Sequence, residues 1–185
     1  MFMPTMLIIG CAYRKGEGTP IDMDKALACF VLAAEQKEMN SIFQAILIYQ
    51  DKMKKEGMKY MYEAIYYCRK YIKLRDTEKF DEGQKQWITE TLSALSSMCR
   101  VCGKKGERYK HCSRCTCVYY CSVDCQRKDW KENGHKEECN KAIRPPTSSS
   151  LTSQYSNQVF SEVDVKFIFW SVVVVIIGIV LWHFI

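Results

Sequence analysis

Apolar and polar residues alternate at helical spacing through the first part of the chain. Between residues 4 and 15, Met6, Ile9, Gly10 and Tyr13 recur three and four apart, on one helix face, and Gly16 and Gly18 end the pattern. A second helix is expected to start near Asp22 or Asp24. Its buried face carries Ala26, Leu27, Phe30, Ala33 and Ala34, and the small alanines let a partner helix approach closely. An altered copy follows, with Ala45, Ile48 and Tyr49 on one helix and Glu63, Ala64, Ile65 and Tyr66 on the next. From Tyr13 to Tyr49 is 36 residues and from Ala26 to Ala64 is 38, a period that suits stacked helix pairs. Either a further helix near Gln84 to Met98 caps the stack, or the chain is a shortened member of a family with longer arrays. Cys11, Cys29 and Cys68 fall among small or apolar helix residues and read as core. The run from Lys52 to Lys59 reads as a solvated loop and helix face.

The other end of the chain has a different pattern. Phe167 to Ile185 is 19 residues without a full charge. At about 1.5 Å per residue that is enough to cross a hydrocarbon core of roughly 30 Å. Trp170 and Trp182 lie toward its two ends, where aromatic side chains favour the interfaces. Lys166 and the basic region before it predict a cytosolic N-terminal part. The β-branched run Val172 to Ile177 would also suit a buried soluble segment, but no polar face is left for solvent. The expectation is a tail anchor, with the endoplasmic reticulum favoured because no basic residue follows the span. The preceding stretch, Pro145 and Pro146 and then TSSSLTSQYSNQ, reads as a flexible linker.

Cysteine usage changes the picture of the middle. Of 11 cysteines, eight crowd between Cys99 and Cys139. The apolar stretch at residues 6 to 10 is too short for a signal-peptide core and lacks a basic flank, so a reducing compartment is expected. There, close cysteines bind metal rather than pair as disulfides. They form the pairs Cys99 and Cys102, Cys112 and Cys115, Cys121 and Cys125, and His135 and Cys139. Eight thiolate and imidazole donors make two tetrahedral Zn²⁺ sites. A two-residue gap suits a tight knuckle; a three-residue gap puts ligands at i and i+4, so the last two pairs are expected on short helices. His111 and Cys117 flank the second knuckle and offer alternative ligands, although adjacency strains His111 and Cys117 breaks the knuckle spacing.

Charge follows the cysteines. Residues 99 to 144 hold 12 Lys and Arg against 6 Asp and Glu, and the rest of the chain is balanced. Seven thiolates and two Zn²⁺ together add about −3, which leaves this region only mildly basic. Nucleic-acid binding through Lys104, Lys105, Arg108, Lys110 and Arg114 therefore ranks last among the readings.

Two resemblances sharpen these expectations. The elements G-x-x-Y, G-E-G-T-P, D-x-x-K-A-L and A-A-E-Q in residues 4 to 36 resemble a Sel-one-like repeat, a relative of the tetratricopeptide repeat. The second copy is degenerate, because KMKKEGM replaces the glycine-rich turn. The stretch YYCSVDCQRKDWKENGHKEEC resembles a MYND finger, with a longer gap between Trp130 and His135 than that family's pattern. The resemblance implies interleaved pairing, with Cys99, Cys102, Cys121 and Cys125 on one zinc and Cys112, Cys115, His135 and Cys139 on the other. It also implies a groove for short proline-rich peptides lined by Gln126 and Trp130.

MYND fingers occur in lysine methyltransferases, but the helical repeats and linker leave no room for a SET domain. No phosphate loop, nucleophile elbow or carboxylate pair is visible either. The predicted fold is mainly α: helical repeats at 4–75, a connecting helix within 76–98, a two-zinc finger at 99–139, a linker at 140–166 and a transmembrane helix at 167–185. The predicted function is a non-enzymatic, membrane-anchored adaptor for proline-rich partners. The alternative is a component of a membrane-associated ubiquitin ligase, since RING ligases also use interleaved two-zinc fingers.

Overall fold

Asp22 sets where the second helix begins. Its carboxylate accepts from the N–H groups of Asp24 (3.1 Å) and Lys25 (2.9 Å), satisfying two donors that the first turn leaves without partners. In the computed structural model, which describes residues 3–75 and 82–143, the first hairpin is α1 (Met3–Lys15) and α2 (Met23–Glu35). It continues into α3 (Met39–Glu56), α4 (Met61–Arg75) and α5 (Glu82–Ser96), each packed on the one before it. The linker and the apolar segment Phe167 to Ile185 lie outside the described residues. Among the described residues, no helix is long and apolar enough to cross a membrane.

The expected inner face of α2 is buried, and so are Ala28, Cys29 and Val31, because α1 covers one side of the helix and α3 another. Gly10 makes the first contact possible: a Cβ there would lie 2.6 Å from the ring of the fully buried Phe30. Gly16 ends α1 in the left-handed region at φ 75°, open to glycine at little cost.

The second hairpin departs from expectation at one residue, Lys52. On α4, Tyr66 is half-buried and Tyr71 is enclosed, as is Tyr67. The Tyr67 ring stacks on Tyr49 of α3 at 5.7 Å, and its hydroxyl donates to Glu35 at 3.2 Å. Lys52 is not solvated. Because α3 stays helical to Glu56, Lys52 is turned back toward α2, where its ammonium meets Asp24 at 2.6 Å and Glu56 at 3.5 Å. Lys54, Lys55 and Lys59 do lie in solvent.

Buried Ile88, Thr91 and Leu95 seat α5 against the stack, and Trp87 meets Phe43 edge-on at 5.3 Å. Cys29 and Cys68 are fully enclosed, and burial pushes both thiols up to about 12, so they remain protonated core residues. The cysteine-rich region is built on β1 (Lys110–His111), β2 (Tyr119–Tyr120), α6 (Val123–Glu132) and α7 (His135–Ile143). It packs on the helices: Cys117 is buried in their hydrophobic core, with Cys115, Tyr119 and Met98 against it.

Candidate metal centre

Two short knuckles and two helix starts deliver the ligands. At the first knuckle, Gly103 donates to the Cys99 carbonyl (2.9 Å) and Cys99 donates to the Lys104 carbonyl (2.9 Å), which closes the turn carrying Cys99 and Cys102. The antiparallel pairing of Lys110 with Tyr120 and of His111 with Tyr119 leaves Cys112 to Val118 as the hairpin tip. There Thr116 donates to the Cys112 carbonyl (2.8 Å) and Cys112 to that of Val118 (3.0 Å), forming the second knuckle.

The third pair differs from the helical expectation. Cys121 follows β2 and precedes the cap of α6, where Ser122 Oγ accepts from the Cys125 N–H at 3.2 Å. The strand therefore delivers Cys121 and the first helical turn delivers Cys125, with their sulfurs 3.6 Å apart. His135 and Cys139 stand one turn apart on α7, as i and i+4 spacing predicts.

The chain brings these side chains into two groups. Cys99, Cys102, Cys121 and Cys125 form one; Cys112, Cys115, His135 and Cys139 form the other, and within each the donor atoms lie within 4.8 Å of one another. Sulfurs of Cys102 and Cys121 are 3.5 Å apart, those of Cys112 and Cys139 3.8 Å, and Cys115 Sγ is 3.7 Å from His135 Nε2. A tetrahedral zinc with Zn–S bonds of about 2.3 Å has sulfurs about 3.8 Å apart, so donor type and spacing both fit two Zn²⁺ ions. With four protein ligands each, the centres are closed and leave no position for a reacting water.

The two alternative ligands fall outside both groups. His111 is exposed and lies edge-on to Tyr119 at 5.9 Å. Cys117 turns toward α4, where its sulfur accepts from Arg69 Nη1 at 3.5 Å.

Proton affinity within the groups is uneven. Burial raises the Cys99 thiol, but hydrogen bonds from the backbone of Cys102, Cys121 and Val101 bring it down to about 7. Cys112 reaches about 7 in the same way, with burial opposed by the backbone of Cys115 and the side chain of His135. Hydrogen bonds with Cys102, Cys125 and Cys99 hold Cys121 up at about 12. For His135, burial works against the charged ring, yet the neighbouring Cys115 sulfur and Glu138 carboxylate raise it to about 10. Zn²⁺ binds thiolate and neutral imidazole, so metal uptake releases the protons that these side chains carry.

Sequence reasoning missed a buried charged group between the two centres. Arg100 stands inside the first knuckle with its side chain 2% exposed. Its Nε lies 3.1 Å from Asp129 Oδ2 and its Nη1 lies 2.6 Å from Glu138 Oε2. Tyr120 donates to the same Asp129 oxygen at 2.6 Å. An arginine between paired cysteines and a glutamate beside a ligand were the only signals, and nothing in their spacing says that they meet.

Gln126 and Trp130 lie one turn apart on α6, both partly exposed, with exposed Val123 on the same face. The Trp130 ring is edge-on to His135 at 5.9 Å, and the Arg114 guanidinium sits 5.7 Å from its centroid.

Residues 99–139 match the family model of the MYND finger. The chain is 36% identical over 85 residues to a SET and MYND domain-containing protein of Dictyostelium discoideum, covering 40% of this chain and 15% of that one. It is 53% identical over 53 residues to ubiquitin carboxyl-terminal hydrolase 19 of Arabidopsis thaliana, covering 29% and 7%. Against the N-lysine methyltransferase SMYD2 of Bos taurus it is 38% identical over 53 residues, covering 29% and 12%. The chain thus spans no more than about a sixth of the length of these three relatives. No solved structure matches it. Residues 99–139 are a MYND zinc finger with two four-ligand centres, carried behind a helical N-terminal region.

Proposed function

We propose that this protein is a membrane-anchored adaptor whose finger binds short proline-rich peptides. The observation that carries the reading is the Val123, Gln126 and Trp130 face of α6, partly exposed and standing on two closed metal centres. Zinc supplies fixed geometry, not a reacting water. A flat indole held by His135 and flanked by Gln126 suits the ring faces of prolines, and an exposed apolar neighbour suits a leucine. The helical hairpins, read as Sel-one-like repeats, would serve as a second protein-binding scaffold. Phe167 to Ile185 would hold both at the cytosolic face of a membrane, the endoplasmic reticulum by preference.

The deciding experiment is fluorescence polarisation with a panel of labelled proline- and leucine-containing peptides. Binding by the native protein, lost in Trp130→Ala that still carries two zinc ions, is the expected result. Unchanged binding in that variant would reject the groove.

A ubiquitin-ligase component is a second reading, favoured by the interleaved arrangement of the two four-ligand groups, which RING ligases also use. Ubiquitin transfer in the presence of a panel of conjugating enzymes would support it, and an adaptor alone would show none.

A further inference from the structure

We infer that Arg100 couples the two zinc centres, so that metal bound at one orders the ligands of the other. Arg100 belongs by chain position to the first centre, since it lies directly after Cys99 and two residues before Cys102. Its backbone N–H also donates to the carbonyl of Tyr119, at 2.9 Å, in the strand that delivers Cys121. Its side chain, however, reaches the second centre. The guanidinium meets the carboxylate of Glu138, which lies between His135 and Cys139 in the sequence of α7 and is 3.7 Å from His135 Nδ1.

That contact has a specific consequence for the imidazole. His135 Nε2 is the ring atom facing Cys115 within the second group. A ligating nitrogen must offer a lone pair, so the proton belongs on Nδ1, and the Glu138 carboxylate, 3.7 Å away, is the charge that faces it. Arg100 fixes where this carboxylate stands and so acts on His135 through Glu138 as a positioning residue. The other arm of the guanidinium reaches Asp129 on α6, the helix whose first turn carries Cys125 of the first centre. Asp129 is in turn held by the hydroxyl of Tyr120, the residue before Cys121.

Burial makes this arrangement two-state. Arg100 and Asp129 are at most 2% exposed at the side chain, so neither charge has water to fall back on if its partner moves. If the first knuckle is unformed, Arg100 leaves, and Glu138 loses the cation that holds it against His135. If α7 is unformed, the guanidinium loses Glu138 while still buried beside the first knuckle. Each centre is thus more costly to assemble alone than beside its formed neighbour, which is a coupling free energy between two sites.

The test is a Co²⁺ titration of the metal-free full-length chain in detergent, without oxygen. Co²⁺ occupies tetrahedral thiolate sites, and its visible bands distinguish four-sulfur from three-sulfur, one-nitrogen coordination. In the native protein both sets of bands should rise together and saturate at two ions per chain. In Arg100→Lys, which keeps the charge and loses the planar fork, the bands should separate. The four-sulfur site should fill first and the His135 site should need about 10- to 100-fold more metal. Should Arg100→Lys take up no metal, Glu138→Gln decides, since it keeps the size of the side chain and removes the ion pair; it too should separate the bands. Bands that already rise separately in the native protein overturn the inference. So do bands that still rise together in the deciding variant, or that both shift by one common factor, the mark of general destabilisation.

Discussion

Arg69 of α4 donates from Nη1 to the Thr116 hydroxyl at 2.9 Å and from Nη2 to the Thr116 carbonyl at 3.0 Å. The same guanidinium reaches Cys117 Sγ at 3.5 Å and the Tyr119 hydroxyl at 3.3 Å. One side chain therefore grips the whole tip of the hairpin that carries Cys112 and Cys115. Thr116 stands there at φ 58°, a conformation that costs a β-branched residue and that these contacts help to hold. Arg69→Ala should destabilise the native protein by about 1–3 kcal/mol, the range for losing several hydrogen bonds from a charged group at a partly exposed site. Urea unfolding monitored at the finger should show the loss. An unchanged midpoint would mean that apolar packing of Cys117 alone holds the finger on the helices.

The contact of Gly10 with Phe30 gives a second prediction. An added Cβ would sit 2.6 Å from a ring that is fully buried. Gly10→Ala should therefore separate α1 from α2 and destabilise by about 1–3 kcal/mol, the usual range for overpacking a core. Thermal unfolding followed by far-ultraviolet circular dichroism would register a lower midpoint. A neutral or higher midpoint, as helix propensity alone would give, would contradict the close approach.

Ligand identity can be tested residue by residue. Cys117→Ser should retain two zinc ions per chain, because that sulfur faces Arg69 and lies outside both groups. Cys115→Ser should lose zinc at its own centre. Elemental analysis of the purified full-length variants separates the cases, and loss of metal in Cys117→Ser would return that residue to the ligand set. Chelator added to the native protein should unfold the finger, since bound zinc supplies much of the folding free energy of so short a segment.

An acid-range prediction concerns the cluster that ties α2 to the end of α3. The Lys59 ammonium and the Tyr60 hydroxyl, at 2.6 and 2.9 Å, hold the Glu56 carboxyl down at about 2, with Lys52 adding to the effect. Because the folded value is depressed, the unfolded chain takes up this proton first as pH falls. The contribution of Glu56 is complete above its ordinary 4.5 and disappears as pH drops toward 2. Carboxyl resonances followed by nuclear magnetic resonance should place the Glu56 midpoint near the lower figure. A midpoint near 4.5 would show that the cluster does not form in solution.

Much of this was legible in the chain because it depends on local spacing. Helical periodicity located the faces of α1 and α2, Asp22 marked a start, and Gly16 marked an end. Two- and three-residue gaps identified four donor pairs and zinc as their metal, because chelation by near neighbours is a short-range property. Spacing cannot say which pair joins which, since that depends on how the β1 and β2 hairpin folds back on the first knuckle. There the family resemblance supplied an expectation that matches the observed groups.

Other features were decided only by the tertiary structure. Lys52 looks like a surface lysine until α3 turns it toward Asp24, and Tyr67 is enclosed with Tyr49 stacked opposite it. Cys121 reads as helical by its spacing, yet the strand before it and the Ser122 cap after it set its position. Arg100, Asp129 and Glu138 are ordinary charges in the sequence. Their meeting is a long-range event, and burial turns that meeting into an energetic link, because the strength of a charge contact depends on the water around it and a sequence does not record water.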